Sequence, residues 1–210
     1  RGLARALAAG GHPDQALDEL LRVTAPLRPR LMATEQVALD IQIGRLELAC
    51  GHAAEARDRL AHAARTSEVE GLALERLDAI VGEGESERAL GHHATALALL
   101  QEAQRVWEGE RRVPSDPDWR VQRGQLAEAL CFDLAELLLN EPAGRDTTAR
   151  LRDAYDLLQR FKARTLLERM AGPAGALPTG HMSEAVTLAL VQTRVLKSGE
   201  LLLDAFVGKH

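Results

Sequence analysis

Three histidines recur at one interval. Gly11-His12, Gly51-His52 and Gly91-His92 stand forty residues apart, and a fourth histidine, His93, follows the last pair. Histidine is a common zinc ligand, so the pairs invite a metal reading. Spacing argues against it. Packed helices lie about 8–10 Å apart, so equivalent residues of successive helix pairs are separated by two such distances, whereas ligands sit about 2 Å from a shared ion. His12, His52 and His92 therefore read as turn residues, and neither a metal nor any other cofactor is expected. His92-His93 makes a local pair without a thiol or carboxylate cluster to complete a site.

The remaining reactive side chains carry no chemistry of their own. Cys50 and Cys131 each sit in an apolar helical pattern and read as buried thiols of a reducing compartment, which points to the cytoplasm. A nucleophilic thiolate needs a base beside it, and neither cysteine has one in its pattern. Glu83, Glu85 and Glu87 share one helix and read as a solvated face, because acid–base work would need burial to separate two carboxyl pKa values. Residues 172–180, GPAGALPTG, are glycine-rich but lack the Lys-Ser/Thr ending of a phosphate loop, and read as a linker. Arg152, Arg160, Arg164 and Arg169 lie along one helix, interleaved with Asp153, Asp156 and Glu168. They read as a solvated or domain-facing surface, with an acidic docking site as the alternative.

The elements that position these residues follow from composition and period. Hydrophobic residues make up 46% of the 210 and aromatics only 3%, so Leu and Ala must fill the core. Both favour helix. Ala16, Ala56 and Ala96 stand five residues after the three glycines, and Leu20, Leu60 and Leu100 four further on. Gly44 and Gly84 stand seven before the second and third glycines, with Ala4 in the same place before the first. A repeat of this length marks a solenoid or array. Each unit reads as two helices with a glycine corner between them, the glycine taking the left-handed conformation that closes a helix. Gly44, Ala56, Gly84 and Ala96 are small enough to bring paired helices close. One hairpin cannot bury its apolar face alone, so units stack.

A fourth, irregular unit follows. Gly144 and Ala149 keep the five-residue offset, fifty-three residues after Gly91 rather than forty. The excess falls at residues 109–118, a proline-bearing loop. Helices are expected near Trp119 to Asn140, with Leu126, Leu130, Leu134, Leu137 and Leu138 inward, and from about Thr147 to Met170. Beyond the linker, Ser183 to Lys197 reads as a helix with a serine cap, and Leu201 to Val207 as a buried strand. A lone strand has no partner, so a sheet domain is expected to follow. The chain opens on Arg1 rather than Met, which points to a fragment of a longer protein.

A small residue, a corner glycine, then alanine and a larger apolar residue resembles the tetratricopeptide (TPR) pattern, here with a longer period and with Leu and Ala in place of its aromatics. The tail is similar to the junction in CHAT proteins, where TPR repeats lead into a caspase-like domain. The matching residues are Lys162-Ala163-Arg164-Thr165-Leu166-Leu167, then Gly199-Glu200-Leu201-Leu202-Leu203 and Phe206-Val207-Gly208. The resemblance implies an all-α chain, an α-solenoid of about four TPR-like hairpins over residues 1–171. A linker at 172–182 and the start of a truncated caspase-like domain at 183–210 follow. In that family the catalytic histidine and cysteine lie deeper in the caspase-like domain, at no position of this sequence, so the segment is not itself an enzyme.

Its implied partners are a protein or peptide and its own downstream caspase-like domain. In TPR-like stacks the first helix of each hairpin lines the concave side, which places Arg5, Arg45 and Glu85 there, with Asp78 and Arg88 nearby. Arginine can fork to a carboxylate or a peptide backbone. These five residues are the candidate partner contacts; ion pairs from repeat to repeat are the alternative use for them.

Charge narrows the partners further. The net charge is −5 and there is no basic run, which excludes a phosphate-backbone ligand. No apolar stretch is long enough to cross a membrane, and no signal peptide is evident. The lysines are only Lys162, Lys197 and Lys209 among many arginines, a codon bias of GC-rich, bacterial genomes. The rival reading is the helical arm of a large bacterial transcriptional regulator, which would carry a basic helix pair rather than the strand at residues 201–207.

Overall fold

Alanine and leucine at helical spacing fold as their propensities direct. The computed structural model describes residue 7 and residues 10–109, 117–140, 146–171 and 188–195, and every regular element among them is helical. In chain order these are α1 (Pro13–Thr24), a 3₁₀ turn (Arg28–Arg30), α2 (Ala33–Ala49), α3 (Ala53–Val69), α4 (Ala73–Ala89) and α5 (His93–Gly109). Then come α6 (Pro117–Asn140), α7 (Thr147–Ala171) and a last short α8 (Leu188–Leu190) that widens into a π turn (Val191–Val195). The expected strand at 201–207, the linker at 172–180 and most of the loop at 109–118 lie outside the described residues. The chain divides into two units, Arg1–Trp107 and Glu108–His210.

In the first unit, α2 to α5 are each 17 residues long. They start at residues 33, 53, 73 and 93, so the forty-residue period is two equal steps of helix plus a three-residue corner. The corners are built alike. At the first, the Gly51 N–H donates to Leu48 O at 3.0 Å and the His52 N–H to Glu47 O at 2.8 Å. The bonds recur from Gly71 to Ser67's neighbour Glu68 (3.3 Å) and from Leu72 to Ser67 (2.8 Å), and again from Gly91 to Arg88 (3.0 Å) and from His92 to Glu87 (2.9 Å). This is the Schellman arrangement, which satisfies the last orphan carbonyls of a helix and needs a left-handed residue at its centre. The glycines supply it: φ is 81° at Gly11, 83° at Gly51, 69° at Gly71 and 81° at Gly91. Gly71 is absent from the sequence-level repeat because Leu31, forty residues earlier, has φ −78° and ends a 3₁₀ turn instead.

Packing between consecutive helices depends on the small residues that the period singled out. A Cβ on Gly44 would lie 2.7 Å from Leu60 Cγ, and one on Gly84 would lie 2.9 Å from Leu100 Cδ2. Each leucine therefore fills the space that its facing glycine leaves, in two successive hairpins. Ala16, Ala56, Ala63, Ala96 and Ala103 are fully buried on the faces that meet them. Leu17, Leu20, Leu39, Ile43 and Leu46 join Ala16 in one core cluster, with Leu7, Leu31 and Cys50 at its edge. The first helices of successive hairpins, α2 and α4, also pack on each other.

In the second unit α6 packs on α7. Leu130, Leu134, Leu137 and Leu138 are buried as their spacing predicts, joined by Ala127, Cys131 and Ala135. Leu126 is only half-buried. Asp146 opens α7 by accepting the Thr148 N–H at 3.0 Å. Asp156 on α7 accepts the Leu188 N–H at 2.7 Å, tying the last short helix to it. Among the described residues no helix is long and apolar enough to cross a membrane.

Candidate functional site

Arg45 occupies the seam between α2 and α4, where the sequence reading placed a partner contact. Its guanidinium donates to Asp78 Oδ1 at 2.7 and 3.1 Å and to the Asp78 carbonyl at 3.1 Å. It also reaches Glu85. Asp78, Gly82 and Glu85 lie on one face of α4, and a Cβ on Gly82 would stand 3.2 Å from the Arg45 guanidinium carbon. The missing side chain is what lets the arginine lie across the helix between the two acids. Three of the five candidate groove residues are thus brought together, as a bridge from one hairpin to the next. The Arg45, Asp78 and Glu85 side chains are 28%, 18% and 16% exposed, so the seam still opens to solvent. Arg88 lies on the same helix and is half-buried. Arg5 lies outside the described residues.

Two further networks hold the helices in register. Asp40 on α2 is buried and accepts from Arg28 of the 3₁₀ turn at 2.5 Å, with Arg59 Nη1 at 3.5 Å and His62 Nδ1 at 3.8 Å. Glu47, also buried, receives a two-pronged contact from Arg59 at 2.7 and 2.9 Å. That contact raises the Arg59 pKa, against the cost of burying its charge. Fork-on-carboxylate geometry of this kind is the strong form of an ion pair. Arg76 on α4 clasps Glu102 of α5 at 2.9 Å and Glu68 of α3 at 3.1 Å.

The acidic helix face departs from its expected solvated state. Glu85 is engaged by Arg45, Glu87 is buried against His92 Nδ1 at 2.5 Å, and Glu83 is half-buried. Burial pushes the Glu83 carboxyl up to about 7, with Arg65 pulling it down and Glu87 and Glu102 pushing it further up. The expectation fails because α4 is a middle helix, packed by α2 and α3 on two sides; of its 17 residues only Ala89 is exposed.

The cysteines are unsuited to nucleophilic work. Burial raises the Cys131 thiol to about 12. Burial and then the neighbouring Asp14 raise Cys50 to about 11. Neither is a thiolate near neutral pH, and both are free. His12, His52 and His92 occupy the corner position after each glycine, and no group of three His, Cys, Asp or Glu among the described residues is placed to hold a metal ion. Arg152 and Arg160 are exposed on α7. Sequence reasoning missed Asp40, Glu47, Arg59 and Arg76; the signal was a charge at helical core spacing, which only a buried partner explains.

No family model matches the chain, and no match was found among the curated proteins or the solved structures.

Proposed function

We propose that this chain is a protein-recognition arm, an α-solenoid of about four TPR-like hairpins that presents the α2–α4 seam to a protein or peptide. The observation that carries the reading is the packing of α2 directly on α4 through Arg45, since serial contact between equivalent helices is how a solenoid builds a continuous face. The seam offers hydrogen-bonding groups that are half-open to solvent, Arg45, Asp78, Glu85 and Arg88, on rigid elements. That is what recognition of an extended chain needs. The tail resemblance at residues 162–167 and 199–208 supports placing the arm beside a caspase-like domain of CHAT type. There it would select a substrate or regulator for a cysteine peptidase while contributing no catalytic residue.

The test is affinity capture with the wild-type chain, Arg45→Glu and Arg88→Glu, with helicity and unfolding midpoint recorded for each. Loss of the captured partner in a variant that remains folded is the expected result. Capture that is unchanged in both variants would remove the seam as the recognition surface.

A further inference from the structure

The corner between α4 and α5 differs from its counterpart between α2 and α3 in one respect, the fate of its carboxylates. At a Schellman corner the residue after the glycine faces the residue five positions before it, and that contact is commonly apolar. Here both corners carry a glutamate and a histidine there, Glu47 with His52 and Glu87 with His92. In the earlier corner Glu47 is held by the fork of Arg59, a charge that does not titrate. Forty residues on from Arg59 the position is Leu99, so Glu87 has no such arginine and takes His92 Nδ1 instead, at 2.5 Å. That contact is an ion pair only while the imidazole carries a proton.

One turn earlier on α4 the contrast repeats. Ile43 is fully buried in the preceding hairpin, and Glu83 is its counterpart. Among the described residues Glu83 makes no hydrogen bond or ion pair. Its charged surroundings are Arg57 and Arg65 from α3, Glu102 from α5, and Glu87 on its own helix. Glu102 is itself clasped by Arg76, and Arg57 by Asp58 at 2.7 Å. A carboxylate thus stands where the repeat places a core side chain, beside a second carboxylate whose partner is a histidine.

We infer that the α4–α5 corner is a pH-responsive joint, tightened by proton uptake at Glu83 and loosened when Glu83 is ionised beside Glu87, the residue that holds the corner, whereas the α2–α3 corner has the apolar Ile43 in that place and does not respond. Protonated Glu83 removes a half-buried charge next to Glu87. The folded-state carboxyl of Glu83 titrates at about 7, above its ordinary 4.5. A raised acid pKa means that the folded chain binds the proton more tightly than the unfolded one. The penalty of ionising Glu83 is therefore absent below about 4.5, grows between about 4.5 and 7, and is full above that.

The experiment compares the whole chain with Glu83→Gln from pH 5 to pH 8.5, by thermal midpoint and by hydrogen exchange. Glu83→Gln is expected to match the wild type near pH 5 and to exceed it by roughly 5 °C at pH 8.5. Protection of the amides at residues 90–92, taken as a ratio to those at 50–52 so that intrinsic rates cancel, should fall as the pH rises from 6 to 8. A Glu83→Gln midpoint that differs from the wild type by a constant amount at every pH, or a protection ratio that does not move, overturns the joint.

Discussion

A single side chain added to the chain meets three different forces, depending on which glycine receives it. At Gly51 nothing lies within 4 Å of where a Cβ would stand, but φ is 83°. Gly51→Ala should therefore cost only the left-handed backbone strain, about 1–2 kcal/mol. At Gly124, exposed within α6, nothing lies within 4 Å and the backbone is helical, so Gly124→Ala should gain about 0.5–1 kcal/mol. At Gly44 the new atoms run into Leu60, 2.7 Å away, and Gly44→Val should cost roughly 3 kcal/mol, the upper end of overpacking. Urea unfolding midpoints should fall in the order Gly124→Ala, wild type, Gly51→Ala, Gly44→Val. Any other order would mean that these corners and seams are not the ones described. The glycines at 11, 51 and 91 are legible in the sequence because their conformation and their period coincide. Glu83 is not, because a charge on an otherwise regular helix looks solvated until the neighbours on every side are known.

At the scale of the element, Arg45 bridges α2 to α4 across their seam. Arg45→Met keeps much of the aliphatic stem but removes the guanidinium that the half-buried Asp78 and Glu85 share. The site lies between a surface pair, worth under about 1 kcal/mol, and a buried one, whose breakage costs about 3–5 kcal/mol. A loss of roughly 2 kcal/mol is expected, smaller when Asp78 is also replaced. A double-mutant cycle over Arg45→Met and Asp78→Ala checks it: a coupling near zero would show that the contact contributes nothing to register. The helices themselves are legible from Leu and Ala spacing. Three of them start at Pro13, Ala53 and His93, each two residues after a corner glycine of the forty-residue period. The corner at Gly71 escaped because its outer residue is Leu72 rather than histidine and because no glycine stands at position 31. The pairing of charges across helices escaped for a more general reason. Arg59 with Glu47 and Arg45 with Asp78 are set by which helices touch, and an amphipathic pattern within one helix carries no record of its partner.

At the scale of the molecule, the equal steps of the first unit make a direct prediction. Deleting residues 51–90 removes one period, joins Cys50 to Gly91 and places Leu100 where Leu60 stood opposite Gly44. A stack with nearest-neighbour energetics loses stability on such a deletion but keeps its fold. The shortened chain should retain its helicity per residue by circular dichroism and unfold cooperatively at a lower temperature. A single interlocked core would lose its structure altogether, and that outcome would end the solenoid reading. The forty-residue period was legible because it repeats side chains. Its division into two helices was legible too, but their equal length was not, because α3 and α4 bury different sets of residues.

The backbone hydrogen bonds shared by the corners at Gly51, Gly71 and Gly91 bear on how the first unit would yield under mechanical load. A tether pulled from its ends opens at its weakest link, and here the links within hairpins and between hairpins have the same hydrogen-bonded architecture. The yielding increment is then a single rod of 17 residues with its three-residue elbow, which pays out about 70 Å of extended chain. Such an arm would lengthen by these increments, half a period each, and each released rod would leave the next elbow already formed.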